Sequence, residues 1–478
     1  MNRRFIINLI FVVGINLLIK PFWVLGVERG VQNAIGAVDY GLYFSLFSFS
    51  FLFNVILDFG INNYNNIFIA KHPQLLSKKF SQLVILKFLL MIVYFILTFT
   101  IAISIGYGAL QLKLLLILCF NQVLSFAITY IRTNVSGLQF FITDSLLSVL
   151  DRMLMIIFCS LLLWGHIFGE INLQWFVLSQ TLSYSITLIA CYLALKPSLQ
   201  NLKWKFNKAF TIHLLKKSYP YALLGLLMGF YSRIDGVLIE RILPQGTMEA
   251  GHYASAYRLL DAANMIAVLF AALLLPMFAR IIHRKENPDS ILQLGFILII
   301  TPAIAGASIC YFYNSEIIFL LNKAFNSEIE NVLSLLMISF VFTCTVYIYG
   351  TFLTAAGTIK ILNQIALIAV LLNIPLNIIF INSYGIQGAA WASLCTQLFV
   401  ALSHFIITHR KFGIEFNRAF LLKLLLFSII QILLPYILRY VEGHFMVKIF
   451  LQIIFALLSL LYLRVLTLSQ LKKLILRA

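Results

Sequence analysis

A chain of 478 residues that is 62% hydrophobic and only 11% charged excludes a soluble globular protein. Apolar runs recur from end to end, which predicts an all-α, polytopic integral membrane protein rather than a transmembrane β-barrel, whose strands alternate apolar and polar residues. The formal net charge of +18 would suit a nucleic-acid binder, but Lys and Arg fall in alternate loops, the positive-inside mark of membrane topology, so no nucleic-acid partner is expected.

Helix 1 is predicted at about 5–27. Its start, MNRR then FIINLIFVVG, resembles the front of a signal peptide, but no small-residue cleavage site follows, so it reads as a retained helix. Lys20-Pro21 should bend it, because proline removes a backbone donor. A short outer loop then carries Glu28, Arg29 and Asp39. Helix 2 is expected at about 41–69, through Asp58-Phe59-Gly60, followed by an Asn-rich turn at 62–66. Lys71, Lys78 and Lys79 mark an inner loop. Helices 3 and 4 follow at about 81–105 and 111–131, then inner Arg132, then helix 5 at about 144–164 with Asp151-Arg152 inside it. The outer segment 165–172 has no Lys or Arg, and helix 6 ends near Leu195.

The most basic stretch comes next: Lys196, Lys203, Lys205, Lys208, Lys216 and Lys217, interleaved with Trp204, Phe206 and Phe210. It reads either as a segment lying on an anionic membrane surface or as an inner loop with topogenic charges. The stretch 219–282 holds two long apolar runs, helices 7 and 8, with an outer loop at about 240–250. Arg280, Arg284 and Lys285 return the chain inside. Helices 9 to 12 follow at about 290–312, 331–353, 359–381 and 386–408, with an outer loop to about 330 between the first two, and Ala355-Ala356-Gly357 joining helices 10 and 11. Helices 13 and 14 fill about 420–438 and 446–466, before a basic tail. On this map 24 of the 35 Lys and Arg are inner, 6 are outer and 5 lie within helices. That bias predicts both termini on the cytoplasmic side.

Charges inside the spans are the candidate functional residues: Lys20, Asp58, Arg152, Arg233, Asp235, Arg258 and Asp261, with Arg29 close by. Facing lipid, each would cost about 2.5–3.5 kcal/mol at mid-membrane, so each needs a partner or a watery cavity. Arg258 and Asp261, three apart, share a helix face and can pair. Arg233 and Asp235 point about 160° apart, so they cannot both satisfy each other. Lys20 and Asp58 have no local counter-charge. The set reads either as ion pairs knitting helices together or as a binding surface. Buried Lys or Arg would hold an anion such as phosphate; a buried carboxylate would take a cation or relay a proton. The six cysteines show no metal or disulfide spacing and read as small buried side chains. No catalytic motif or metal cluster is evident, so neither an enzyme nor a metal cofactor is expected.

Gly41-Leu42-Tyr43 opens helix 2, and Gly251-His252-Tyr253 opens helix 8. With six helices on each side of the basic stretch, this weak repeat predicts two pseudo-symmetric six-helix lobes. The lobes cover 1–196 and 218–409, joined by a cytoplasmic linker at 197–217, with 410–478 forming two added helices and the tail.

Several motifs together resemble the oligosaccharide flippase branch of the MOP superfamily, the O-antigen or Wzx-type polysaccharide flippases. They are Tyr40-Gly41-Leu42-Tyr43, Asp58-Phe59-Gly60, Arg132 with Gly137-Leu138-Gln139, Arg152, Arg233-Ile234-Asp235, Gly251-His252-Tyr253 through Tyr257-Arg258, Pro276, and Gly385 with Gly388-Ala389-Ala390. The resemblance spans about 1–410. It implies a MATE-like fold of two lobes around a central cavity, alternating access, and an undecaprenyl-diphosphate-linked oligosaccharide as cargo, such as a lipopolysaccharide O-antigen unit. It implies a bacterial inner membrane, polysaccharide assembly machinery as partners, and coupling to H⁺ or Na⁺. The similar lipid II flippases carry two extra C-terminal helices thought to hold the lipid tail. Two rivals stay open: an organic-cation exporter of the same superfamily, which should show an acidic cavity, and a membrane polysaccharide polymerase, which usually carries a large outer loop.

Overall fold

The computed structural model describes residues 14–16, 18–165, 169–199, 207–321, 327–414, 418–440 and 442–463. Every regular element among them is helical: α1 (Gly14–Leu52), α2 (Ile61–Lys71), α3 (Leu76–Ser104), α4 (Ala109–Gly137), α5 (Phe141–Trp164), α6 (Leu173–Leu195), α7 (Lys208–Ile242), α8 (Gly246–His283), α9 (Asp289–Phe312), α10 (Asn314–Leu321), α11 (Ser327–Ala355), α12 (Ile359–Phe412), α13 (Arg418–Leu438) and α14 (Phe445–Tyr462). Twelve of these paths are long and apolar enough to cross a membrane. Two of the twelve are interrupted paths, and the longer cannot be one crossing. A helix of 54 residues, the length of α12, would run about 80 Å against a hydrocarbon core of about 30 Å. Each contains a break: α1 at Gly36 (φ 85°, ψ 169°) and α12 at Tyr384-Gly385, where Gly385 has φ 57°. Split there, the twelve become the fourteen spans expected from hydropathy.

The chain divides into two compact units, Met1–Gly251 and His252–Ala478. This division by packing falls inside α8, beyond the basic stretch at 197–217, because α7 packs along α1 within the first unit. Residues 1–13 of the retained-helix reading, the basic tail from 464, and Lys203, Trp204, Lys205 and Phe206 lie outside the described residues.

In the first unit, Gly236 of α7 lies against Phe44, and Gly225 against Val55. The tightest crossing joins the two glycines of the sequence repeat. A Cβ on Gly41 would sit 1.7 Å from the Thr247 carbonyl oxygen, and one on Gly251 would sit 2.0 Å from that of Ala37. Only glycine lets two helix backbones meet so closely.

Four local expectations change. The outer loop expected to hold Glu28, Arg29 and Asp39 is helix: α1 passes through a π-helical stretch at Trp23–Glu28 and bends only at Gly36. Helix 2 is not continuous to 69. It unwinds through a 3₁₀ turn at Asn54–Leu57, reverses at Phe59 (φ 52°) and Gly60 (φ 74°), and restarts as α2. The Asn-rich segment is thus the start of that helix rather than a turn, and Asn65 Nδ2 donates to Asn134 Oδ1 of α4 at 3.0 Å. The 240–250 loop shrinks to three residues between α7 and α8.

In the second unit, α11 is wrapped by α9 and α12. The last two helices are pinned to α9 by buried amides and hydroxyls. Ser308 donates to the Gln431 carbonyl, Gln452 Nε2 donates to Ser308 Oγ at 3.1 Å, and Gln431 Nε2 donates to Ser459 Oγ at 3.4 Å. Apolar contact of Ala305, Phe427 and Ala456 continues the seam. Hydrogen bonds between membrane helices contribute about 0.6 kcal/mol each, up to about 1.7. Gln452→Leu is therefore expected to cost about 1–2 kcal/mol, read as a lower denaturation midpoint in detergent with expression unchanged.

Candidate functional site

The first unit gathers charge where α1 meets α5 and α6. Asn16 Nδ2 donates to Ser148 Oγ at 3.1 Å, which fixes the start of α1 against α5. One turn on, Lys20 lies within electrostatic reach of Arg152, Asp151 and Arg132. Lys20 thus has a carboxylate within electrostatic reach, Asp151 from a helix more than a hundred residues away, but the like charge of Arg152 acts on it more strongly. Arg152 Nε is 3.5 Å from Asp151 Oδ2, and their side chains keep 28% and 19% of their surface exposed, so the pair can be reached by a ligand. Arg152 also hydrogen-bonds the Tyr184 hydroxyl and feels Glu28 and Tyr43. Arg132 Nε donates to Asp144 Oδ1 at 2.8 Å nearby.

Glu28 and Arg29 enter this region because the π-helical stretch keeps them on α1. Tyr40 donates to Glu28 Oε1 at 2.9 Å across the Gly36 break, tying the two arms of α1 together. Arg29 Nη1 donates to Gln32 Oε1 at 3.0 Å, and Gln32 Nε2 donates to the Gly251 carbonyl at 3.3 Å. Gln180 Nε2 donates to the Tyr43 hydroxyl at 2.8 Å. Lys20, Arg29, Arg132 and Arg152 thus stand among Glu28, Asp144 and Asp151, one positive charge in excess.

Sequence reasoning did not name Gln180 or Tyr184, and it placed Tyr43 in a motif and Glu28 in a loop without counting either among the candidate site residues. The signal was there: Gln180, Ser183, Tyr184 and Thr187 are all buried, at the 3–4 residue spacing that places polar groups on one face of α6.

The other candidates lie elsewhere. Asp58 sits at the helix break, where Lys87 Nζ of α3 bonds its Oδ1 at 2.9 Å and the Leu57 carbonyl at 3.4 Å. Asp58 Oδ1 also accepts the Asn62 backbone N–H at 3.2 Å, capping α2. This pair therefore satisfies backbone groups that the break releases. Breaking it from one side leaves a buried charge, so Lys87→Met is expected to destabilise by about 3 kcal/mol. Adding Asp58→Asn should recover part of that loss in a double-mutant cycle. Arg233 of α7 stacks its guanidinium over Phe51, 5.3 Å from the ring centroid, and Asp235 is buried. In the second unit, Arg258 and Asp261 form the expected pair at 3.0 Å.

At the non-basic end, Arg241 closes α7 instead of lying in a loop. Its guanidinium is 3.9 Å from the Tyr107 ring, and its Nε is 3.0 Å from Glu240 Oε2. Burial and the Glu240 carboxylate push the Tyr107 phenol up. Five of the cysteines are buried and Cys395 is half-buried, with no disulfide. Among the described residues, no three His, Cys, Asp or Glu gather as metal ligands.

Among the described residues, long apolar helices with two broken paths and a gathering of charge inside the first unit describe an integral membrane protein. The model of the polysaccharide biosynthesis protein family matches residues 30–282, and the chain belongs to that family. The fold is similar to that of the lipid II flippase MurJ in an inward closed conformation, with a TM-score of 0.71 at 18% identity, covering 94% of this chain and 99% of that one. It is also similar to an inward-facing multidrug resistance MATE family transporter of the MOP superfamily, with a TM-score of 0.61 at 12% identity, covering 85% and 98%. In sequence, an uncharacterized membrane protein of Methanocaldococcus jannaschii is 26% identical over 384 residues, 77% of this chain and 89% of that protein.

Proposed function

We propose that the protein is a transporter, not an enzyme, and flips an undecaprenyl-diphosphate-linked oligosaccharide from the inner to the outer leaflet. The cargo would be an O-antigen or other surface polysaccharide unit, the membrane a bacterial cytoplasmic membrane, and both termini cytoplasmic. The observation that carries this reading is Arg152, a reachable guanidinium beside Asp151 and Tyr184 and within electrostatic reach of Glu28 and Tyr43, with Lys20 nearby. A diphosphate would take over from the carboxylates as partner: the cations exchange Asp151 and Glu28 for phosphate oxygens, with bidentate geometry at Arg152. Tyr43, Tyr184 and Gln180 supply neutral hydrogen-bonding groups for the head group. Arg29, Arg233 and Arg258 are further cationic candidates. Asp58, Asp235 and Asp261 balance charge. The six-helix lobes at 1–196 and 218–409 rock about the cargo, and α13–α14 guide the lipid tail. Coupling to H⁺ or Na⁺, and contact with the polysaccharide assembly machinery, belong to the same reading.

The family membership supports a polysaccharide cargo over an organic cation, and the cluster lacks the acidic excess an organic cation would want. The test is a deletion strain. Loss of surface polysaccharide with lipid-linked units accumulating on the inner leaflet is expected, reversed by the wild-type chain and not by Lys20→Glu combined with Arg233→Glu. Export of single units without polymer would instead indicate a polymerase, and unchanged polysaccharide with altered drug sensitivity an exporter.

A further inference from the structure

A recess of about 540 Å³ opens in the first unit between α3, α4 and α6. Its wall includes Leu57, Phe80, Lys87, Met91, Tyr130 and Tyr192 and is almost wholly apolar. Phe80, Tyr130 and Leu57 form a buried floor, while Tyr192 stands 42% exposed at the lip. The one charged group in the wall, Lys87, is held by Asp58 and the Leu57 carbonyl and presents its hydrocarbon stem.

Position and length say what fits. Each helix contributes the half nearest its basic end, where Lys78 and Lys79 lie in the first turn of α3, Arg132 lies near the end of α4 and Lys196 follows α6. From Phe80 to Met91, α3 rises about 16 Å at 1.5 Å per residue, close to one leaflet's half of a hydrocarbon core of about 30 Å. Lys196 is exposed, one turn beyond Tyr192 on the same face, at the rim where a head group would lie. The polyprenyl tail of the proposed cargo is several times longer than this recess.

We propose that the recess binds one acyl chain of an anionic phospholipid from the leaflet at the basic end, with Lys196 facing the head-group phosphate. The chain lies over Leu57 and Lys87 and so covers the helix break from the membrane side. This inference rests on the membrane-embedded fold and is independent of the proposed cargo. A second apolar recess, of about 430 Å³ and including Trp175 and Leu178, is built from the opposite halves of α5 and α6, beside the 165–172 segment that lacks Lys and Arg. It serves as an internal control.

The test is native mass spectrometry of the full-length protein, delipidated in detergent and offered equal amounts of phosphatidylglycerol, phosphatidylcholine and undecaprenyl phosphate. The wild type is expected to retain phosphatidylglycerol preferentially. Lys196→Glu, an exposed change that leaves the core untouched, should lower that retention roughly tenfold or more, since each basic residue near the surface is worth about a fivefold factor. Ala127→Trp, which fills the recess, should abolish it, and Leu178→Trp in the control recess should not. Phosphatidylglycerol should raise the thermal midpoint of the wild type and not of Lys196→Glu. Equal retention by wild type and Lys196→Glu, or preferential retention of undecaprenyl phosphate, would overturn the assignment. The second result would give the recess to the cargo.

Discussion

Arg152→Met is expected to abolish transport, and restoring charge balance should not rescue it. The substitution leaves Asp151 without its partner at 3.5 Å, so part of its effect is instability. The double variant Asp151→Asn with Arg152→Met removes both charges and should return the protein to near wild-type abundance. If the pair only knits α1, α5 and α6 together, transport returns with it. If Arg152 holds the diphosphate, the double variant folds and still fails, by about 100-fold or more in complementation of polysaccharide display, because charge-assisted bonds to phosphate are lost. Arg152→Lys separates charge from geometry: it keeps the cation but not the fork, and should retain a minor part of the activity. Full transport by the double variant would remove Arg152 from the binding site.

Gly41→Val and Gly251→Val are expected to have the largest effects on folding. A Cβ at Gly41 would lie 1.7 Å from Thr247 oxygen and 2.5 Å from the Gly251 nitrogen, and one at Gly251 would lie 2.8 Å from the Ala37 carbonyl carbon. The obstacles are backbone atoms and a Cβ has no rotamer, so the helices must separate. The cost should exceed the ordinary overpacking penalty of about 1–3 kcal/mol, and neither variant should accumulate as folded protein in the membrane. Gly306→Ala is the control. Open space surrounds that site, and a helical glycine replaced by alanine gains up to about 1 kcal/mol. Normal levels of Gly41→Val, by fluorescence-detected gel filtration, would contradict the crossing.

The spans were legible because a bilayer imposes one strong pattern: long apolar runs separated by loops of alternating charge. The family motifs were legible too, and the Gly41 and Gly251 repeat marked two helices that touch. What sequence hid were the breaks and the long-range partners. Glu28 and Arg29 looked like loop residues because two charges in a row rarely enter a span. Tyr40 and Gln32 satisfy them and keep α1 helical as far as Gly36. Asp58-Phe59-Gly60 looked tolerable inside a helix, yet Lys87 takes up the carbonyl and carboxylate that unwinding exposes. Asn-rich segments suggest turns, but Asn65 had a buried amide waiting on α4. Lys20 looked solitary because the carboxylate within its reach is far away in sequence.

The π-helical stretch at Trp23–Glu28 carries a consequence for how this chain tolerates change in length. A π turn amounts to one residue inserted into an α-helix. Deleting one residue here, for instance the exposed Leu25, would let the helix relax to ordinary geometry with little loss of backbone bonding. Because the wide turn takes up the extra residue, everything before it, Lys20 included, would keep its facing relative to everything after it. A single-codon deletion here would leave Lys20 turned toward Asp151, whereas one in the ordinary α-helical part of the same span would swing it by about 100°. Relatives one residue shorter across these six positions can therefore present the same face of this helix.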